Sequence, residues 1–128
     1  MINIFDRKGF VKLLSLEGHT LVGADLANAD LAEANLIQVD LTNACLRHAN
    51  LCNADLRLAN LNGADLSFAN LSHCDLSGAN LTGANLTGTV MTAAVMQGTS
   101  IPLATLATAN TGNEEIFANI KLQKKSDK

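Results

Sequence analysis

Leucine occupies every fifth position from Leu16 to Leu86, fifteen times in succession, and Met91, Met96, Ile101 and Leu106 continue the register. The polar positions repeat just as strictly. Asp or Asn stands immediately before the leucine, as at Asp25, Asp30, Asn35, Asp40 and Asn50. Alanine stands one position further back, as at Ala24, Ala29, Ala34, Ala44 and Ala49, with Val39 and Cys74 among the few substitutes. Neither ordinary element accommodates this period. On an α-helix five residues advance about 500°, so the leucines would scatter around the axis without forming a stripe. On a continuous strand an odd period sends successive leucines to opposite faces. The chain must therefore turn once per repeat, with every leucine pointing inward.

The residue two after each leucine is the expected turn. That slot occurs seventeen times between Gly18 and Gly98, and it holds seven of the nine glycines, with Asn at 28, 43 and 53. These are the residue types that accept a positive φ. Four near-right-angle turns close a circuit, so twenty residues make one square coil. Leu16, Leu36, Leu56 and Leu76 then stack along one inner wall, and Leu66 is inward as well.

The tandem units ADLAN (24–28), ADLAE (29–33), ADLRL (54–58), ADLSF (64–68) and ANLTG (79–83) resemble the pentapeptide repeat family, whose signature is A-(D/N)-L-X-X. The resemblance covers residues 16 to 110. It implies an all-β solenoid, a right-handed quadrilateral β-helix of about four to five coils with short helical caps. It also implies a narrow core of leucine and alanine without room for a substrate, and a bacterial setting in which most members have no assigned biochemical role.

Composition agrees with a thin tube. Only 3% of the residues are aromatic, too few for an ordinary globular core, and Phe5, Phe10 and Phe117 lie outside the repeats, where open ends need cover. The reading divides the chain into an N-terminal capping helix at 1–15, the repeats at 16–110, and a C-terminal capping helix with a basic tail at 111–128. Asp6 is the expected N-cap of the first helix, with Phe10, Val11, Leu13 and Leu14 as its apolar face, although Gly9 weakens it. Glu114 and Glu115 mark the start of the second helix. In the segment 89–106 Val90 and Val95 replace the outward acid or amide. They form an apolar strip, either covered by the C-terminal helix or serving as a homodimer contact.

Charge is uneven. Residues 16–110 carry eight acids against Arg47 and Arg57, a balance of −6, whereas the ends carry seven bases against four acids. An acidic tube raises one specific alternative, since some members of the resembled family mimic DNA and occupy a type II topoisomerase (DNA gyrase). Stacking at twenty residues makes Asp55 and Asp75 the only direct like-charge neighbours. Elsewhere Asn separates the acids and is expected to hydrogen-bond along the ladder. The same stacking sets His48 beside Phe68 as a packing contact.

Catalytic chemistry lacks support: there is no phosphate loop, no nucleophile elbow and no HExxH motif, and no cleft desolvates the regular carboxylates. No cofactor or metal site is expected. Cys45, Cys52 and Cys74 follow no metal or redox spacing. The free thiols and the absence of a leader-like apolar segment point to a cytoplasmic protein. Net charge argues against direct binding of nucleic acid or of a membrane. The leading expectation is a non-enzymatic scaffold for an unknown protein partner, a monomer or a weak homodimer through its C-terminal region. Asp55, Asp75, His48, Phe68, Val90 and Val95 are the candidate surface. DNA mimicry is the runner-up.

Overall fold

The computed structural model describes residues 1–112 and, as backbone, 121–122. Its organising feature is parallel bridging at a spacing of twenty residues. One column runs Asn35, Asp55, Asp75, Val95, and the other three run Asp25 to Asn85, Asp30 to Asn110, and Asp40 to Ser100. Bridges twenty residues apart are the register of a β-solenoid whose coils stack one on the next.

The repeat signature follows from where each backbone N–H goes. Of the five N–H groups in a repeat, those of the leucine and of the turn residue donate to carbonyls nineteen residues on, as in Leu56 to Asp75 and Leu58 to Ser77. The Asp/Asn-slot N–H donates to a carbonyl twenty-one residues back, as in Asp55 to Ala34. The alanine N–H closes the turn onto the preceding leucine carbonyl, as in Ala59 to Leu56 at 3.0 Å. One donor is left over, on the residue after the leucine, and an unpaired backbone donor in a packed wall is costly.

The Asp or Asn side chain takes it. Oδ1 of residues 25, 30, 35, 40, 50, 55, 60, 65, 70, 75, 80 and 85 each accepts the N–H two positions on, at 2.9–3.3 Å. Asp and Asn serve equally because only Oδ1 is used. Where the slot holds Ser100, the following donor position is Pro102, which has no N–H to satisfy. The expected ladder of amide bonds between coils is corrected by this geometry: the one seen among the described residues is Asn50 Nδ2 to Asp30 Oδ1, at 3.3 Å.

All seventeen turn-slot residues from 18 to 98 have positive φ, and ten of them are not glycine, including Glu33, His48, Leu58, Phe68 and Ala93. The lattice holds them there against a steric preference of about 1–2 kcal/mol per residue. Ala93, at φ 61°, is the cleanest case, because its methyl group is exposed. Ala93→Gly is expected to raise stability by about 0.5–1 kcal/mol, the relief of φ exceeding the added unfolded-state entropy. A urea midpoint that falls would contradict this account.

Inside, the leucines of the five-residue register from Leu26 to Leu86 are at most 2% exposed, and Leu36, Leu56, Leu66 and Leu76 lie at 1% or below. Met91, Met96, Ile101 and Leu106 continue this core. Where the alanine slot holds Cys74, Thr89 or Thr99, the side-chain polar atom reaches a leucine carbonyl one coil back. Cys74 Sγ donates to Leu51 O, Thr89 Oγ1 to Leu66 O and Thr99 Oγ1 to Leu76 O, at 2.6–2.7 Å. Burial pushes the Cys74 thiol up to about 12, so it behaves as a small apolar side chain.

The N-terminal segment is not the expected helix. Strand β1 (Ile2–Phe5) pairs antiparallel with β2 (Lys12–Leu16). Gly9, at φ 80°, turns the connecting loop, and Asp6 Oδ1 accepts the N–H groups of Phe10 and Val11 within that loop instead of capping a helix. Alternation in the INIF run buries Ile4 at 3% while Phe5 faces out, and Phe10 is 85% exposed, so the predicted helical face does not form. The hairpin docks on one wall of the first coil: Asp6 bridges Ala34, Phe5 O accepts the Asn35 N–H at 2.8 Å, and Arg7 N–H donates to Glu33 O at 2.7 Å.

Past Pro102 a single helical turn, α1 (Leu103–Leu106), replaces the five-residue turn. Strand β3 (Ser100–Ile101) then pairs in parallel with β4 (Lys121–Leu122), twenty-one residues on. Lys121 and Leu122 are thus strand where a basic tail was expected, while the expected C-terminal helix falls on residues outside those described.

Candidate interaction surfaces

Outward side chains inherit their positions from the turn lattice, so residues twenty apart form columns on a flat wall. Asp55 and Asp75 are bridge partners in one column. The two are the like-charge neighbours that the stacking predicts, but Arg57, two residues after Asp55 in the same repeat, folds back onto the first of them. Arg57 Nε lies 2.9 Å from Asp55 Oδ1 and Nη2 lies 2.8 Å from Oδ2, a two-pronged ion pair over a side chain only 8% exposed. The guanidinium bonds hold the Asp55 carboxyl below the usual carboxylate range. The column presents a neutralised pair with Asp75 half-buried beside it.

Two other acids are lowered by the turn itself. The hydroxyl and N–H of Thr42 act on Asp40, and those of Ser67 act on Asp65. Depressed folded values contribute stability that is complete above the unfolded carboxylate range and is lost as pH falls through the folded values. The melting temperature is therefore expected to hold at neutral pH and to drop once pH passes below about 4. Asp55→Asn keeps the Oδ1 acceptor but removes the ion pair, so its acid-side drop should be shallower than that of wild type. An equally steep drop in the variant would refute the assignment.

His48 and Phe68 stack, with centroids 5.2 Å apart and planes 13° from parallel. The sequence reading did not foresee the rest of this cluster. The Arg47 guanidinium lies 5.2 Å from the centroid of the Phe68 ring, and Nη1 donates to Ser67 Oγ at 2.8 Å, with Asp65 at 4.0 Å. Arg47 precedes Ser67 by one coil, so the same stacking rule that paired His48 with Phe68 predicts this contact. Phe68 lies over Gly88, where an added Cβ would stand 2.6 Å from the ring, and Leu58 lies over Gly78 in the same way. Both side chains remain about half exposed, at 47% and 56%.

Val95 is 48% exposed and Val90 is half-buried, bridging Asn70 and Asn110. His19, which occupies the alanine slot before Leu21, is exposed. Cys45 and Cys52 are half-buried free thiols. Among the described residues no helix is long and apolar enough to cross a membrane, and no group of three or more His, Cys, Asp or Glu side chains is placed to hold a metal ion.

A solenoid of five-residue turns, with coils twenty residues apart and flat polar walls, defines a class of repeat protein. The sequence pattern of pentapeptide repeats matches residues 20–57 and 59–98 in eight copies, and the chain belongs to the pentapeptide repeat family. It is similar to a pentapeptide repeat protein from Nostoc PCC 7120, with 36% identity and a TM-score of 0.60 over 77% of this chain and 84% of that one. It is also similar to a pentapeptide repeat protein from the Arabidopsis thaliana thylakoid lumen, with 35% identity and a TM-score of 0.52 over 64% of this chain and 53% of that one. The chain thus spans about half the length of the Arabidopsis relative. No curated protein matches it.

Proposed function

We propose that this protein is a non-enzymatic scaffold that binds a partner protein on the wall carrying Phe68. The observation that supports this most directly is Phe68 itself. The turn slot asks only for a residue that accepts positive φ, and glycine or asparagine fills it at ten of the seventeen positions. A half-exposed aromatic ring held at φ 61°, seated on Gly88 and flanked by His48 and Arg47, has no role in the turn. Strained backbone under an exposed aromatic side chain is a recurrent mark of binding sites, and aromatic residues beside arginine dominate interface energetics. The aspartates of the repeats each give an oxygen to a backbone donor, which argues against acid–base catalysis by this slot.

The accompanying proposals are a right-handed, quadrilateral tube of four to five coils, no cofactor, no direct contact with nucleic acid or membrane, and a cytoplasmic location in keeping with the free thiols. The protein is proposed to be a monomer, or a weak homodimer through the exposed Val95 and its neighbour Val90.

Phe68→Asn removes the ring but keeps a residue suited to positive φ, so the melting temperature should hold or rise. Affinity capture from the native host should then lose the partner retained by wild type. Equal capture by the variant would sink the assignment of this wall. The runner-up reading is tested by a DNA gyrase supercoiling assay, in which the wild-type protein is expected to be inactive because Arg57 neutralises Asp55.

A further inference from the structure

We propose that the outward face of the N-terminal hairpin docks an acidic amphipathic helix of a partner protein. Strand alternation gives the hairpin two faces. Ile2, Ile4 and Leu14 pack against the leucine core. On the other face the cross-strand partners Asn3 and Ser15 share a side-chain bond of 2.6 Å, and Phe5 stands opposite Lys12. Phe5 is 40% exposed, and the loop beyond it presents Val11 at 54% and Phe10 at 85%. That loop uses only the backbone of Phe10 and Val11, through Asp6 Oδ1 and the Asp6 N–H to Val11 O bond. Two of the chain's four phenylalanines thus face solvent within the first ten residues. Exposed aromatic and aliphatic side chains gathered on one small element mark an association site.

Charge selects the occupant. Residues 1–15 carry Arg7, Lys8 and Lys12 against Asp6, a balance of +2 beside a tube of −6. Arg7 is turned to the tube, where it donates to Asn53 O. Lys8 and Lys12 are exposed, bracket Phe10 and Val11 in sequence, and enter no ion pair among the described residues. An apolar strip between two free lysines matches a helix with aliphatic residues on one face and glutamates along its borders. Such a helix closes the open face of the hairpin as the tube closes the other, and a two-stranded sheet gains stability from each packed layer. A second copy offers no such element among the described residues, whose one helix is the single turn α1. An anionic bilayer fits less well. The adjoining first coil, residues 16–35, holds Glu17, Asp25, Asp30 and Glu33 and no base, which repel a surface broader than the hairpin. The hairpin bonds to the tube at Glu33, Asn35 and Asn53, away from the Arg47, His48 and Phe68 cluster, so either site can fail without the other.

The test titrates the full-length protein into a fluorescein-labelled helical peptide, leucine on one face and glutamate along both borders, with amide shifts recorded in parallel. Saturable binding is expected, with the largest shifts between Phe5 and Lys12. The same peptide with lysine in place of glutamate should not bind. Phe10→Ser with Val11→Ser should weaken binding at least about tenfold without lowering the melting temperature, because both side chains are exposed. Lys8→Gln with Lys12→Gln should weaken it about tenfold and flatten its salt dependence. Phe68→Asn should bind as wild type does. Absence of binding would overturn the proposal, as would shifts centred elsewhere, a loss in Phe68→Asn, or equal affinity of either hairpin variant or for the lysine peptide. So would recruitment to phosphatidylglycerol vesicles in place of the peptide, or self-association of wild type that the Phe10 variant abolishes.

Discussion

Leu56→Ala lowers the stability of the protein by about 2–5 kcal/mol, the range for deleting a fully buried leucine side chain when the surroundings collapse only partly. Leu56 is 0% exposed, and its neighbours in the column, Leu36 and Leu76, are fixed by their own coils. The backbone above and below it is held by bonds from Leu36 to Asp55 and from Leu56 to Asp75, both at 2.8 Å, so the walls cannot close on the cavity. Solenoid stability is a sum of coil and interface terms, which makes a central position more damaging than a terminal one. Leu16, only half-buried at the hairpin, should lose clearly less on the same substitution. Chemical denaturation measures both, and a loss below about 1 kcal/mol at Leu56 would show that the core is not close-packed.

Removing residues 1–14 lowers the melting temperature by roughly 5–10 °C, the thermal equivalent of exposing one buried aliphatic side chain in a chain of this size. The deletion takes away Ile4, 3% exposed, together with the backbone bonds that Phe5 and Arg7 make to Asn35 and Glu33. It uncovers the one wall of the first coil that the hairpin closes, adding Asn35 to the open edge at Asp25 and Asp30. An open edge pairs with other chains, so association that rises with concentration should accompany the lower melting temperature. Thermal melts with sedimentation velocity read both effects. A truncated chain that melts at the wild-type temperature and stays monodisperse would show that the hairpin contributes nothing to the end of the tube.

The periodicity alone determined the repeat, the inward leucines, the coil length of twenty residues and the slot of positive φ. The reason is combinatorial: a five-residue period leaves no other way to bury every leucine, and residues twenty apart must then meet. The His48–Phe68 stack follows from the same rule. Tertiary structure decided what depends on side-chain reach and on the ends. Asp55 and Asp75 look like an acidic pair in sequence, because a column lists residues without showing that Arg57, on a long side chain one corner away, folds back to neutralise the first. The asparagines look like a ladder between coils, yet their oxygens are drawn to the one backbone donor in each repeat that the coils leave unpaired. The first fifteen residues have a helix-like spacing of apolar residues, but a strand pairing across the Gly9 turn meets the open backbone of Ala34 and Asn35, which a helix could not do. Local pattern specifies an element only where the neighbours repeat it. At an end, the partner edge chooses the element.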